Sequence, residues 1–315
     1  MPEHGILTFD DPDGYAAAFG DTRINLTIAG AGDFKARLIR LRLKQLEICC
    51  CSETLPRIAY ISLPPERMFL SFPVGTVSLT SDGVGLGHGD CVLHGLGQAV
   101  HQRTSSACQW GLVALSAAEL SNCAGAVAGR DMPLPRASRV LCLARPDALR
   151  LQCLFGHACH LAESGEKLTE QPELARVLEQ EMLHAVIHCL EADEQDDNQK
   201  VRHHHAAIMI RFEDALSERL DDRLKLPALC AEIGVPERTL RLCCAEFLGV
   251  SPTRYLLLRR LNKARSALRL ADPSTVTVAE IARNHQFLEL GRFAVTYRTT
   301  FGESPSATLH RDPQP

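Results

Sequence analysis

Hydrophobic residues are spaced differently along successive parts of the chain. Between residues 20 and 115 they occur in short runs, such as "RINLTIAG" and "RIAYISL", separated by Gly, Pro, Asp and Ser. Short apolar runs between turn-forming residues are typical of strands in a β-sandwich or barrel. Within residues 147–163 and 172–192, apolar positions recur every three to four residues, which predicts two amphipathic helices. The pattern therefore predicts a β-rich domain over residues 1–145 and a helical extension over residues 146–192.

The two predicted helices each have a continuous apolar stripe. The members of the two stripes are Leu151, Leu154, Phe155, Ala158 and Leu161, then Leu174, Val177, Leu178, Met182, Ala185, Val186 and Cys189. The charged segment "EADEQDDNQK" follows without periodicity and predicts a linker over residues 193–207. From there the spacing is helical, which predicts an all-α domain over residues 208–311. The predicted fold class is therefore α+β.

The C-terminal domain contains an internal repeat. "FLGVSP" at 247–252 recurs as "TFGESP" at 300–305, and each copy ends a helical run that follows a short helix and a break. In the first copy Gly234 ends the short helix, because glycine adopts the left-handed conformation without steric cost. Two helices joined by such a turn form a helix-turn-helix, and the repeat predicts two of them, at residues 226–247 and 278–301.

The second helix of each unit is amphipathic. The stripes that we expect to be buried are Leu240, Cys243, Cys244, Phe247 and Leu248, then Phe293, Thr296, Tyr297, Thr300 and Phe301. The opposite faces carry Arg238, Arg241, Leu242 and Ala245 in the first unit, and Gly291, Ala294, Val295 and Arg298 in the second, with Arg292 at the flank. The cysteines of the first unit thus belong to its core, and its arginines face outward.

The helix between the two units and the charge distribution both indicate a polyanionic partner. The segment "PTRYLLLRRLNKARSALRLADP" predicts one basic helix of about sixteen residues, spanning about 24 Å. With the helix widths added, this approaches the ~34 Å between successive major-groove windows on one face of DNA. Residues 236–311 hold twelve Lys and Arg against six Asp and Glu, a net charge of +6, and the chain as a whole has −4, so the remainder sums to −10. The tandem arrangement favours DNA binding over an ordinary helical hairpin.

The C-terminal part of the sequence resembles a known family. The segment "LPALCAEIGVPERTLRLCCAEFLGVSPTRYLLLRRLNKARSAL", followed by "VAEIARNHQFLELGRFAVTYRTTFGESPSATL", is similar to the AraC/XylS family of bacterial transcription regulators. This resemblance covers about residues 208–309, with both helix-turn-helix units, the linking helix and the closing "FGxSP". More loosely, the N-terminal part resembles the cupin-like sensor domains attached to these regulators, which implies a cupin-like barrel or sandwich with two flanking helices.

The family resemblance implies which residues contact DNA. The implied base-reading positions are Arg238, Thr239, Arg241 and Leu242 in the first unit, and Leu290, Gly291, Ala294 and Val295 in the second. Since Ala294 and Val295 cannot hydrogen-bond a base edge, we expect the second unit to hold phosphate through Arg292 and Arg298. The sequence departs from the family at Gln286, which stands where the second turn usually has glycine.

The resemblance also implies a function. We expect a sequence-specific, DNA-binding transcription regulator, controlled by a small-molecule effector or by dimerisation through its N-terminal part. Double-stranded DNA is the expected partner, and RNA polymerase and a second copy of the chain are candidates. The acidic N-terminus "MPEHGILTFDDPDGY" does not resemble a signal peptide, and no apolar run could span a membrane, so the expected location is the cytoplasm. The sequence does not identify the effector-binding residues, the operator, or whether transcription is activated or repressed.

The remaining polar residues leave one alternative open, a cupin-like enzyme or thiol-based redox sensor tethered to a DNA-binding domain. Three of the thirteen cysteines are consecutive, at 49–51, but neighbours on a strand point to opposite faces and do not readily ligate one metal. His88, His94 and His101 lack the close His-x-His pattern of metal-binding cupins, and "HHH" at 203–205 follows the linker. No nucleophile elbow, phosphate loop or dinucleotide fingerprint is present. We therefore expect no enzymatic activity, no cofactor and no metal site.

Overall fold

The computed structural model describes residues 4–75, 77–128, 137–164, 171–191, 199–218 and 225–311. Its N-terminal part consists of two antiparallel sheets. In spatial order, the seven-stranded sheet contains β1 (His4–Phe9), β3 (Ala36–Arg42), β4 (Leu46–Glu53), β11 (Cys108–Ser116), β6 (Arg67–Val74), β9 (Asp90–His94) and β12 (Arg139–Cys142). The five-stranded sheet contains β2 (Arg23–Ile28), β5 (Arg57–Ser62), β10 (Ala99–Thr104), β7 (Leu79–Ser81) and β8 (Val84–Leu86).

The seven-stranded sheet is apolar on both faces. One face belongs to a core shared with the five-stranded sheet, in which Leu38 and Cys51 lie with Ile28. The other face is covered by two helices, α3 (Arg145–Glu163) and α4 (Pro172–Glu191), through a second core. Side chains that alternate between two buried layers are expected for a strand covered on both faces. The predicted α+β class, with two helices flanking a β-rich domain, is confirmed.

The N-terminal part contains elements that the apolar pattern alone did not show. The run "ARLIRLRLKQLEICC" forms a hairpin, β3 followed by β4. Two short helices that the apolar spacing did not predict are present, α1 (Pro12–Ala17) and α2 (Ala117–Ala128). The predicted stripe of α4 is buried only from Leu178 onward, since Leu174 is 39% exposed and Val177 is 49% exposed. These two residues lie in the first two turns of α4.

The described residues contradict the second part of the predicted linker over residues 193–207. Residues 193–198 lie outside them. Residues 199–207 form the first half of α5 (Gln199–Glu218), so that a linker there was a wrong prediction. The helix continues into an apolar stripe that includes Ile208, Met209 and Phe212, all fully buried. The polar composition of its first turns concealed this helix, because only its C-terminal half has a recognisable stripe.

The C-terminal part is all-α from residue 225 to its last described turn. Its helices are α6 (Leu226–Ile233), α7 (Glu237–Leu248), α8 (Pro252–Leu270), α9 (Val278–Asn284), α10 (Leu290–Phe301) and α11 (Pro305–Leu309). Helix α8, which links the two repeated units, has 19 residues rather than about sixteen and is therefore about 28 Å long.

The repeated motif has the same structural role in both copies. Gly249 ends α7 and Gly302 ends α10, each in the left-handed conformation, with φ of 69° and 81°. Ser251 and Ser304 then cap the next helices by accepting hydrogen bonds from backbone N–H groups, and proline follows in the first turn. Glycine after a helix, followed by a serine cap and proline, ends one helix and starts the next within three residues.

The C-terminal helices pack directly against the five-stranded sheet. Leu261 and Ala264 of α8 belong to the same buried core as Ile28 of β2. Asn262 joins the two elements, since its side chain accepts a hydrogen bond from Ile28 N–H and donates one to Ile28 O, both at 3.0 Å. The chain therefore folds as two parts in contact, an arrangement that the sequence did not predict.

Candidate nucleic-acid interface

The first helix-turn-helix unit consists of α6 and α7. Gly234 ends α6 with φ of 70°, as predicted. The predicted stripe of α7 is buried in full: Leu240, Cys243, Cys244, Phe247 and Leu248. It packs with Leu229 and Ile233 of α6 and with the apolar side of α5. This packing fixes the rotation of α7 about its own axis, and so determines which side chains face solvent.

The two cysteines of α7 are core residues. Cys243 and Cys244 are both 0% exposed. Burial raises the pKa of the Cys243 thiol to about 11 and raises the pKa of Cys244 further. Because the thiolate is the reactive form, these thiols are protected both by access and by protonation.

The outer face of α7 carries the predicted base-reading residues. Arg238, Arg241 and Leu242 are exposed, Leu242 by 57%, whereas Thr239 is half-buried. The Nε of Arg241 donates to Glu237 Oε1 one turn earlier, at 2.8 Å. A guanidinium held in this way is oriented along the outer face, and guanine can replace the carboxylate as a bidentate acceptor.

The second unit, α9 and α10, keeps the same turn geometry without glycine. Gln286 adopts φ of 61°, the left-handed conformation that the family pattern assigns to glycine. Its N–H donates to Arg283 O and the Phe287 N–H donates to Ala282 O, both at 2.8 Å. Phe287 then contacts Phe293 of α10, with 4.6 Å between the ring centroids. Glutamine instead of glycine at residue 286 therefore raises the conformational free energy of the turn but leaves its backbone path unchanged.

The outer face of α10 is poor in hydrogen-bonding side chains. Gly291, Ala294 and Val295 are exposed, Val295 by 68%, and Leu290 is half-buried. The two predicted phosphate ligands, Arg292 and Arg298, are both exposed. The apolar residues of this face can touch a thymine methyl group, and its arginines can reach the DNA backbone.

The histidines and cysteines considered as alternative sites do not converge. His88 is exposed, and His94 is buried beside Ser71, 2.7 Å from its hydroxyl, where burial lowers the pKa of His94 to about 4. His101 binds Glu213, and the histidine run contributes His205, which binds Glu246. Among the described residues, no three His, Cys, Asp or Glu side chains are grouped as metal ligands.

Sequence reasoning missed a buried polar cluster between the two parts of the chain. Glu213 of α5, 0% exposed, accepts hydrogen bonds from His101 Nε2 at 3.1 Å and Tyr255 Oη at 2.7 Å, and it pairs with Arg259. Burial alone would raise the pKa of Glu213, but the His101 hydrogen bond and the Arg259 charge outweigh it, so its pKa is lowered. The sequence feature that could have indicated this cluster is a glutamate next to Phe212, on the apolar stripe of α5.

Comparison with known proteins agrees with this geometry in the C-terminal part. Residues 229–311 match a family model described as a helix-turn-helix domain. The probable thc operon regulatory protein of Rhodococcus erythropolis is 39% identical over 100 residues, 32% of this chain and 30% of that protein. The XylDLEGF operon transcriptional activator of Pseudomonas putida is 33% identical over 96 residues, 30% of each chain. The chain thus matches less than a third of the length of these curated relatives.

Among solved structures, the AraC-like transcriptional activator CuxR is similar with a TM-score of 0.42 and 16% identity, over 82% of this chain and 95% of that one. Across the part of the chain that the structure describes, no helix is both long and apolar enough to cross a membrane.

The C-terminal region contains two repeated helix-turn-helix units and their linking helix, and it matches relatives that regulate operons. These findings identify it as a helix-turn-helix domain of the AraC/XylS family.

Proposed function

We propose that this protein is a sequence-specific, DNA-binding transcription regulator, whose N-terminal part controls how the two helix-turn-helix units meet DNA. The observation that supports the proposal is α7, whose apolar stripe is buried in full and whose opposite face presents Arg238 and Arg241. Relatives of the C-terminal region are named as regulators of operons. A rigid helix with two outward arginines is suited to enter a major groove.

In this proposal the two units have different roles. Arg238 and Arg241 read base edges, with Thr239 and Leu242 as flanking contacts, because arginine is the commonest bidentate partner of guanine. The second unit holds the backbone through Arg292 and Arg298, and Leu290, Gly291 and Val295 let α10 approach the groove closely. Phosphate contacts fix the register of the protein on DNA, and base contacts supply the sequence preference.

The helical extension supports a second proposal, that two copies of the chain pair there. Leu149 of α3 and Leu174 and Val177 of α4 are exposed by 46%, 39% and 49%. Large apolar residues that neither sheet covers suit an interface between copies. A small-molecule effector and RNA polymerase remain proposed partners of the same regulator, and we assign no enzymatic activity to it.

The test begins with selection of binding sites for the full chain from a random duplex DNA pool. Arg238→Ala and Arg241→Ala should each weaken binding to the selected site by about 1–3 kcal/mol and relax the preference at one base pair. Arg23→Ala is the matched control, because it removes an exposed arginine from β2, outside both helix-turn-helix units and the helical extension. This control should bind as the parent does.

Two outcomes would contradict the proposal. If the pool yields no preferred sequence, the chain is not a sequence-specific regulator. If a site is selected and both α7 variants bind it as tightly and selectively as the parent, α7 is not the reading helix.

A further inference from the structure

Helix α3 packs against the seven-stranded sheet at a glycine. A Cβ atom at Gly111 of β11 would lie 2.5 Å from the ring of Phe72 and 2.7 Å from Cζ of Phe155 of α3. Only glycine leaves room for both rings, which meet edge to face with their centroids 4.9 Å apart. Directly across the ladder from Gly111 is Cys50 of β4, the middle residue of the three consecutive cysteines.

Two further contacts determine what lies above Cys50. Phe155, Cys159 and Glu163 are four residues apart along α3 and so share one face of the helix. Phe155 lies over Gly111, and Glu163 binds Arg37 of β3 at 2.6 Å. Arg37 is two residues from Ile39, the cross-strand neighbour of Cys50, and so projects from the same face of the sheet. Cys159, between these two anchors, must therefore face Cys50.

The two thiols are in contact, and they are chemically unequal. A hydrogen bond from the Cys159 thiol lowers the pKa of Cys50; burial and the Glu163 charge oppose this effect, and the Arg37 charge supports it. The same hydrogen bond, with burial, raises the pKa of Cys159. On the other face of β4, burial raises the pKa values of Cys49 and Cys51. Cys50 is thus the nucleophilic member of the pair, and Cys159 keeps its proton.

We propose that Cys50 and Cys159 form a redox-active pair, which a hydroperoxide converts into a disulfide between β4 and α3. The Cys50 thiolate attacks the peroxide O–O bond, which gives a sulfenic acid and one water after protonation. Cys159 then attacks the sulfenic sulfur, and its proton leaves with the hydroxide as a second water. Two thiols and one hydrogen peroxide become one disulfide and two waters, and a dithiol reverses the reaction by thiol–disulfide exchange.

Both residues are half-buried and not enclosed, so that a molecule as small as hydrogen peroxide can reach them. The bridge would fix the C-terminal part of α3 on the sheet, within the helical extension where we propose that two copies pair. Its formation depends only on the packing of α3 against the sheet. The pair can therefore be tested whether or not the chain regulates transcription.

The first experiment exposes the full-length protein to a small molar excess of hydrogen peroxide, followed by alkylation under denaturing conditions, proteolysis and mass spectrometry. We expect one peptide pair joined through Cys50 and Cys159, 2 Da lighter than the sum of the two reduced peptides, and its loss after dithiothreitol treatment. Cys50→Ser and Cys159→Ser should each abolish the bridge. Cys153→Ser is the matched control, since Cys153 is an exposed thiol of the same helix, and it should leave bridge formation unchanged.

A second experiment tests the hydrogen bond without any oxidant. Iodoacetamide should alkylate Cys50 of the folded protein several-fold more slowly at pH 7 in Cys159→Ala than in Cys159→Ser, because serine still donates a hydrogen bond to the thiolate. Equal rates in the two variants would overturn the assigned roles. A peroxide reaction that leaves Cys50 and Cys159 as thiols in the folded parent protein, or that joins either to another cysteine, would overturn the pair itself.

Discussion

At the scale of single residues, the clearest difference between the two helix-turn-helix turns is the cost of the left-handed position. Gly234 adopts φ of 70° in the first turn, and Gln286 adopts φ of 61° in the second. The left-handed conformation costs a residue with a Cβ atom roughly 1–2 kcal/mol. The Oε1 atom of Gln286 is also buried without a hydrogen-bond donor. The left-handed backbone and the unpaired oxygen of Gln286 therefore lower the stability of the second unit.

Gln286→Gly should stabilise the protein. The change removes the backbone strain and the unpaired oxygen, and the greater freedom of glycine in the unfolded chain offsets part of the gain, so we expect about 0.5–1 kcal/mol. Urea unfolding measures it. Gly234→Ala is the opposite control, since a Cβ atom there meets nothing within 4 Å and the change should cost about 1 kcal/mol through strain alone. A loss of stability in Gln286→Gly would mean that the glutamine side chain contributes more by packing than its backbone costs.

At the scale of elements, α7 and α10 share one plan and differ in what they present. Both bury an apolar stripe and end at a left-handed glycine. The exposed side of α7 has two arginines with an acceptor one turn away, and that of α10 has glycine, alanine and valine beside its two arginines. The same fold can thus read bases with one unit and hold the backbone with the other.

Arg298→Ala tests this division. Since a phosphate contact is independent of sequence, the change should weaken binding equally on a selected site and on unrelated DNA, and reduce the slope of log K against log salt by about one. Fluorescence anisotropy at several salt concentrations measures both. Arg238→Ala is the contrast, with its loss concentrated on the selected site. A loss confined to that site in Arg298→Ala would show that α10 reads bases.

Elements with strong local signals could be predicted from the sequence, and the others could not. The buried stripe of α7 and the turn at Gly234 follow from spacing and from the conformational freedom of glycine, which are properties of a few neighbouring residues. The start of α5 was missed because its first turns are polar. The exposure of Leu174 and Val177 was missed because apolar spacing states which face is apolar and not which of its turns a neighbouring element covers.

At the scale of the whole molecule, the two parts meet through pairs that are far apart in sequence. His101 and Glu213 are separated by 112 positions. Near the other end of the interface, the Gly32 N–H donates to Phe301 O and Arg311 binds Asp33, both at 3.1 Å. No periodicity encodes such pairs, so docking of the helix-turn-helix units on the five-stranded sheet was not predictable from spacing. It gives the N-terminal part a physical route to the DNA-binding units, because both units contact it.

The Glu213 cluster is a part of this interface that a single change can disrupt. Its carboxylate is fully buried, and it is matched by Arg259 and by hydrogen bonds from Tyr255 and His101. A buried pair contributes little beyond an apolar replacement, but removing one partner leaves the other charge uncompensated. We expect Glu213→Gln to leave the Arg259 guanidinium in that state, at a cost of roughly 3 kcal/mol.

This cost should depend on pH in a defined direction. The folded pKa of Glu213 is lowered, and an unperturbed glutamate titrates near about 4.3. The contribution of the charged form is therefore fully present above about 4.3 and is lost as pH falls through the folded pKa. The free energies of unfolding of the parent and Glu213→Gln should differ at pH 7 and converge in acid.

Hydrogen exchange should be faster in β10 and α8 of the Glu213→Gln variant at pH 7, because this strand and this helix meet at the cluster. Glu181→Gln, in the exposed pair with Arg150, is the control and should change neither quantity. A Glu213→Gln variant as stable as the parent at pH 7, with unchanged exchange in β10 and α8, would mean that the cluster does not hold the two parts together.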